Sequence, residues 1–185
     1  MADFDWNWPK EIDRPAVERV LGLEFVSGAE NVILVSAQGL GKTMIAKNIA
    51  HNAILAGHTA LCVTASDLLF DLGRRDSATA LEGRIRYYAS VSVLLIDELG
   101  YLSYDSRAAD LLFQTLSRRY EKKPTVLTTN LAFSDWPAIF PNAMCATTLV
   151  DRLTHHSEII TVVGESYRKR EAEIAKQARK TRAKR

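Results

Sequence analysis

Cysteine is nearly absent from this 185-residue chain, with Cys62 in an apolar run that reads as a buried strand and Cys145 in an expected loop. Two thiols so placed give neither a disulfide framework nor metal-ligand spacing, so a reducing cytoplasm is the expected setting. Long apolar runs are missing too. Even Val91 to Ile96 is interrupted by Ser92 and closed by Asp97, well short of the roughly 20 residues that cross a bilayer, so no membrane partner is expected. The start of the chain has Phe4, Trp6 and Trp8 among acidic residues and no apolar h-region, which excludes a secretory signal reading. Internal repeats and low-complexity linkers are also lacking. What remains is a chain with 47% hydrophobic residues, enough for one core in one domain.

Charge of one sign is scarce overall but unevenly spread. The net charge is +2, yet residues 168–185 hold nine Lys or Arg against two acids, Glu171 and Glu173. The tail is therefore +7 and residues 1–167, with fifteen basic and twenty acidic groups, are −5. The organisation expected is a core over 1–167 and a basic helical tail over 168–185. Such a tail is either a solvated helix or an arm for nucleic-acid phosphates, and the second predicts steeply salt-dependent binding.

Five apolar runs, 31–36, 59–65, 91–97, 125–130 and 158–163, are rich in Val, Ile, Leu and Thr without strict alternation. That pattern belongs to parallel strands buried on both faces. Between them lie helical spacings: 43–56 with Ile45, Ile49 and Ala53, and 105–120 with Leu111, Leu112, Leu116 and Arg119. Helices are also expected over 14–25, 66–72 and 78–89, with Arg74, Arg75, Arg84 and Arg86 exposed. The fold class is α/β, a three-layer α/β/α sandwich on a mostly parallel five-stranded sheet with right-handed crossovers. Phe4, Trp6 and Trp8 are expected to strap the core or to touch adenine rather than to bind nucleic acid.

The first strand runs into Ser36-Ala37-Gln38-Gly39-Leu40-Gly41-Lys42-Thr43, and a helix starts at the lysine. This is a phosphate-binding loop. Its glycines let successive N–H groups point at a phosphate beside a helix N-terminus, the lysine reaches the β- and γ-phosphates, and the threonine ligates Mg2+. Ser36 stands where the pattern has its first glycine. A second apolar strand ends in Asp97-Glu98, placing Asp97 to hold the metal ion through water and Glu98 to polarise an attacking water. A third ends at Thr128-Thr129-Asn130, where Asn130 is either a γ-phosphate sensor or an Asx turn. Arg152 is a candidate arginine finger for a neighbouring subunit, or a surface ion-pairing residue. His155 and His156 have no acidic or cysteine partner at ligand spacing, so no metal site is expected there.

These features occur in order: Gly39-Leu40-Gly41-Lys42-Thr43, Leu94-Leu95-Ile96-Asp97-Glu98-Leu99-Gly100-Tyr101-Leu102, Thr128-Thr129-Asn130-Leu131, Asp151-Arg152-Leu153-Thr154-His155-His156 and Gly164-Glu165-Ser166-Tyr167-Arg168. Together they resemble the IstB-like ATP-binding proteins, the transposition helper ATPases of insertion sequences. That family is similar to the DnaC helicase loaders and belongs to the AAA+ class of P-loop NTPases. The resemblance implies ATP and Mg2+ as cofactors, an oligomer assembled on double-stranded DNA, and a transposase partner encoded by the same element. Asp97, Glu98, Asn130 and Arg152 take the AAA+ roles under it. A helicase loader or adaptor using ATP as a switch is the alternative it leaves open. Family members usually carry a further N-terminal helical region ahead of the core.

Overall fold

The computed structural model describes residues 1, 4–101 and 103–182, the last six by backbone alone. Leu102 of the Asp-Glu motif and residues 183–185 of the basic tail, with Lys184 and Arg185, lie outside the described residues. In chain order the elements are β1 (Glu11–Ile12), α1 (Arg14–Leu21), α2 (Glu24–Ser27), β2 (Asn31–Ser36), α3 (Lys42–Leu55), β3 (Ala60–Thr64), α4 (Ala65–Gly73) and α5 (Ala78–Ser90). Then follow β4 (Val93–Leu99), α6 (Ser106–Arg119), β5 (Thr125–Thr129), a 3-10 turn (Phe133–Ala138), α7 (Ala143–Thr154), β6 (Ser157–Val163) and α8 (Tyr167–Arg182).

The sheet has six strands in the order β1-β6-β2-β5-β4-β3, one more than the sequence predicts. The extra strand, β1, is two residues long and pairs antiparallel with β6, Glu11 opposite Val163 and Ile12 opposite Val162. A two-residue strand leaves no periodicity to read, so hydrophobic patterning could not reveal it. The other pairings are all parallel.

Alternation along each strand builds two cores. On one face Ile33, Leu94, Ile96 and Leu127 pack against Leu68 and Leu72 of α4, Ile85 of α5, Leu112 of α6 and Leu149 of α7. On the other, Val32, Leu34, Leu95 and Val126 meet Val17 and Val20 of α1 and Ile45 and Ile49 of α3. Both faces being covered is why these strands read as unbroken apolar runs. Each such side chain contributes about 1.5–3 kcal/mol when fully buried.

Several side chains depart from their expected settings. Cys62 is exposed because β3 is the sheet edge, and Cys145 sits in the first turn of α7 rather than in a loop. The expected helix over 14–25 is two pieces, broken where Leu23 adopts a left-handed φ of 66°. Arg75 and Arg84 are not free surface groups: with Tyr88 they converge on the Asp71 carboxylate and join α4 to α5. Burial acts to raise the Asp71 pKa, but hydrogen bonds from Arg84, Tyr88 and Arg75 outweigh it and hold the group below its ordinary value. Arg119, expected on the apolar face of α6, is fully buried. Its guanidinium donates to the carbonyls of Tyr88 (3.0 Å), Val91 (2.9 Å) and Pro124 and to Thr125 Oγ1 (3.2 Å), clasping the ends of α5, α6 and β5.

Candidate nucleotide site

Strands β2, β4 and β5 end on the same edge of the sheet, and a cleft of about 880 Å3 opens there. It is lined by Gln38 to Met44, Glu98, Tyr101, Thr128 to Asn130 and, from the chain ends, Phe4, Trp8, Tyr167 and Arg168. Carboxyl ends of parallel strands are where ligands bind in this architecture.

The loop between β2 and α3 shows why each residue type is present. Gly39 and Gly41 have φ of 80° and 87°, the left-handed region that glycine enters without steric cost. A side chain at Gly41 would also lie 2.6 Å from the Phe4 ring, and one at Gly39 would collide with Ser166. Ser36 closes β2 in regular pairing with Val162 and is not among the residues with positive φ. Its position therefore needs no glycine. The Ser36 hydroxyl donates to Ala37 O at 2.8 Å and accepts from Lys42 Nζ at 2.9 Å. Lys42 donates further to the carbonyls of Ser36 (2.6 Å) and Ala37 (2.9 Å). Burial lowers its pKa to about 8, with Arg168 adding to the fall while Asp97 and Glu98 oppose it.

A hydroxyl that lines the cleft and a buried carboxylate just beneath it fit a divalent cation. Thr43 Oγ1 donates to Asp97 Oδ1 at 3.0 Å, and Asp97 is 8% exposed. Adjacent ligands of an octahedral Mg2+ at 2.0–2.1 Å stand about 3 Å apart, so a hydroxyl and a carboxylate at this spacing suit that ion.

Glu98 follows in an unusual conformation. Its φ is 61°, and β4 shifts register between Ile96 and Leu99. The bulge turns Glu98 outward, exposed at the cleft, while its neighbours Asp97 and Leu99 stay buried. Strain of this kind persists only where surrounding contacts fix it, and it clusters at functional sites. Here the fixing group is Thr128, whose hydroxyl accepts from Glu98 N at 2.9 Å and donates to Asp97 Oδ1. Sequence reasoning gave Thr128 no role, because its partners lie 30 residues away on another strand.

Asn130 lines the cleft and makes no side-chain hydrogen bond among the described residues. Arg152 does not line it. Its guanidinium lies over the rings of Phe113 (4.6 Å) and Tyr120 (5.8 Å), an aromatic seat in place of the surface ion pair considered from sequence. Of the two roles expected for the aromatic N-terminus, the strap is seen: Phe4 is buried in the core, and its ring also lines the cleft. Trp8 Nε1 donates to Glu165 O at 2.8 Å, and the Arg170 guanidinium lies 4.3 Å from the Trp8 ring centre. Tyr167 N donates to Gly39 O at 2.9 Å. The Gly164 to Arg168 motif is thereby pinned to the phosphate loop. Tyr167 and Arg168 were visible in the sequence only through the family motif, since neither follows a strand.

The IstB-like ATP binding protein family matches residues 1–175. The chain belongs to that family. It is 38% identical over 177 residues to an insertion sequence IS5376 putative ATP-binding protein of Geobacillus stearothermophilus, covering 96% of the chain and 70% of that protein. It is 39% identical to an IS21 putative ATP-binding protein of Pseudomonas aeruginosa over 92% of the chain, and spans 64% of that relative's length. A solved structure of DnaI superposes with a TM-score of 0.72 at 22% identity, over 89% of this chain and 88% of that one, and so shares the three-layer α/β/α fold. Among the described residues no helix is long and apolar enough to cross a membrane.

Proposed function

We propose that this chain binds Mg2+–ATP in the cleft and hydrolyses it, acting as an oligomeric helper that assembles on double-stranded DNA with the transposase of an insertion sequence. The observation that carries the hydrolytic part is the strained Glu98, tied beside buried Asp97 by Thr128. A binding-only cleft gains nothing from holding a carboxylate in a left-handed backbone at its mouth.

In this reading the backbone N–H groups of 37–43 and the α3 N-terminus cradle the phosphates, with Lys42 leaving its loop carbonyls for the β- and γ-oxygens. Thr43 and Asp97 hold Mg2+, which supplies charge neutralisation on the phosphate oxygens when bound. Glu98 accepts a proton from the attacking water, and Asn130 positions that water or the γ-phosphate. Arg152, which does not line its own cleft, serves a neighbouring subunit's site, where guanidinium charge stabilises the transferring phosphoryl group. Family membership and the insertion-sequence relatives support the transposition setting.

Steady-state ATP hydrolysis by the whole chain, with and without duplex DNA, tests the reading. Turnover that duplex DNA stimulates is expected. Absence of turnover under both conditions removes the hydrolytic function, and turnover stimulated by a replicative helicase but not by DNA favours the loader alternative.

A further inference from the structure

The sequence reading finds no acidic partner at ligand spacing for His155 and His156, but the fold brings Glu121 to them. At the end of α6 the chain turns toward β5 through Glu121, Lys122 and Lys123, and Glu121 adopts a φ of 54°. Both Lys122 N and Lys123 N donate to Arg119 O, and the buried Arg119 side chain anchors this turn to β5 and α5. The left-handed conformation is therefore held by a rigid base. It presents the Glu121 carboxylate to the end of α7. One oxygen, Oε1, lies 3.6 Å from His155 Nδ1 and 3.6 Å from His156 Nε2. Ligand atoms of the three residues all fall within 4.8 Å of one another.

We propose that Glu121, His155 and His156 form a surface site for one divalent transition-metal ion of the Zn2+ class, separate from the nucleotide cleft. In a tetrahedral shell with bonds of 2.0–2.2 Å the ligand atoms stand about 3.4 Å apart, close to the two carboxylate–imidazole spacings here. Two imidazoles with one carboxylate suit Zn2+, Co2+ or Ni2+ better than Mg2+, which prefers oxygen and keeps its waters. The third edge closes by rotation of two exposed rings, and the fourth position is left to water. Tyr120 stands behind the site, its hydroxyl 2.7 Å from His155 Nδ1. That hydroxyl shares the nitrogen offered to the metal and has to turn away when the imidazole takes the ion. Binding ties the end of α7 to the turn after α6, and so stiffens the segment that carries Arg152.

Equilibrium titration of the chelator-treated whole chain with Co2+, followed by its visible d–d absorption, tests the site. The expected result is one saturable equivalent that is weakened at least about tenfold by Glu121→Gln and by His156→Ala. Because both residues are exposed, neither change disturbs the core. His58→Ala should leave the affinity unchanged, and Asp97→Asn, which removes the Mg2+ carboxylate in the cleft, should retain the surface equivalent. No saturable binding below about 1 mM, or an affinity that neither substitution alters, overturns the proposal.

Discussion

Lys42 contacts the phosphate loop through three hydrogen bonds, and its pKa near 8 puts a proton equilibrium in the proposed phosphate site. Burial disfavours the ammonium, whereas a bound triphosphate favours it, so nucleotide binding raises this pKa and takes up a proton. The sign follows. ATP affinity should be full below pH 8 and decline above it, at most about tenfold per pH unit, until the pKa of the complex is passed. Calorimetric titration across that range checks it, and Lys42→Met should remove the dependence. Glu98 carries a cost of another kind. Replacing it by glycine relieves the left-handed backbone and should raise the unfolding free energy by about 1 kcal/mol while abolishing turnover. Denaturant unfolding beside an ATPase assay checks both halves. Ser36 shows the reverse situation, a departure from the glycine pattern at a position whose backbone needs no glycine.

Among the elements, the central strands β2, β4 and β5 were the most legible part of the sequence because burial on both faces leaves a nearly continuous apolar run. The phosphate loop was legible for a similar reason: backbone curvature demands Gly39 and Gly41, and the proposed chemistry needs Lys42 and Thr43. Features made by contact between distant segments were not. The bulge at Glu98, the Thr128 bridge and the Glu121 turn each depend on where another element stands. Arg119 shows the same limit, since its helical spacing matched a core-facing residue while its charge pointed to the surface. The structure resolves that conflict by surrounding the guanidinium with carbonyl groups, and burial brings its pKa down to about 10. Arg119→Met keeps the bulk but leaves several buried carbonyls unpaired, so it should cost about 2–4 kcal/mol of unfolding free energy. Urea denaturation measures it, and a loss under 1 kcal/mol, about the value of a single ordinary hydrogen bond, would show that the clasp is not structural.

At the scale of the molecule, the chain ends fold back over the site. Phe4, Trp8, Tyr167 and Arg168 line one wall of the cleft, and the basic helix α8 begins there. The last basic residues of the tail lie beyond the described ones, but its start is already joined to the phosphate loop through Tyr167 and Gly39. Arg152 lines no part of its own cleft, so its proposed work belongs to an assembly. Arg152→Ala subunits should therefore regain turnover when mixed with Lys42→Ala subunits, each supplying what the other lacks at a shared interface. Mixing the two variants and reading ATP hydrolysis checks this. The central claim is that Glu98 turns a nucleotide-binding cleft into a hydrolytic one. Its most direct test is ATP turnover by Glu98→Gln beside the unaltered chain, with ATP affinity measured on both. Turnover should fall by about 100-fold or more while affinity changes little; equal turnover by the two proteins would contradict the account.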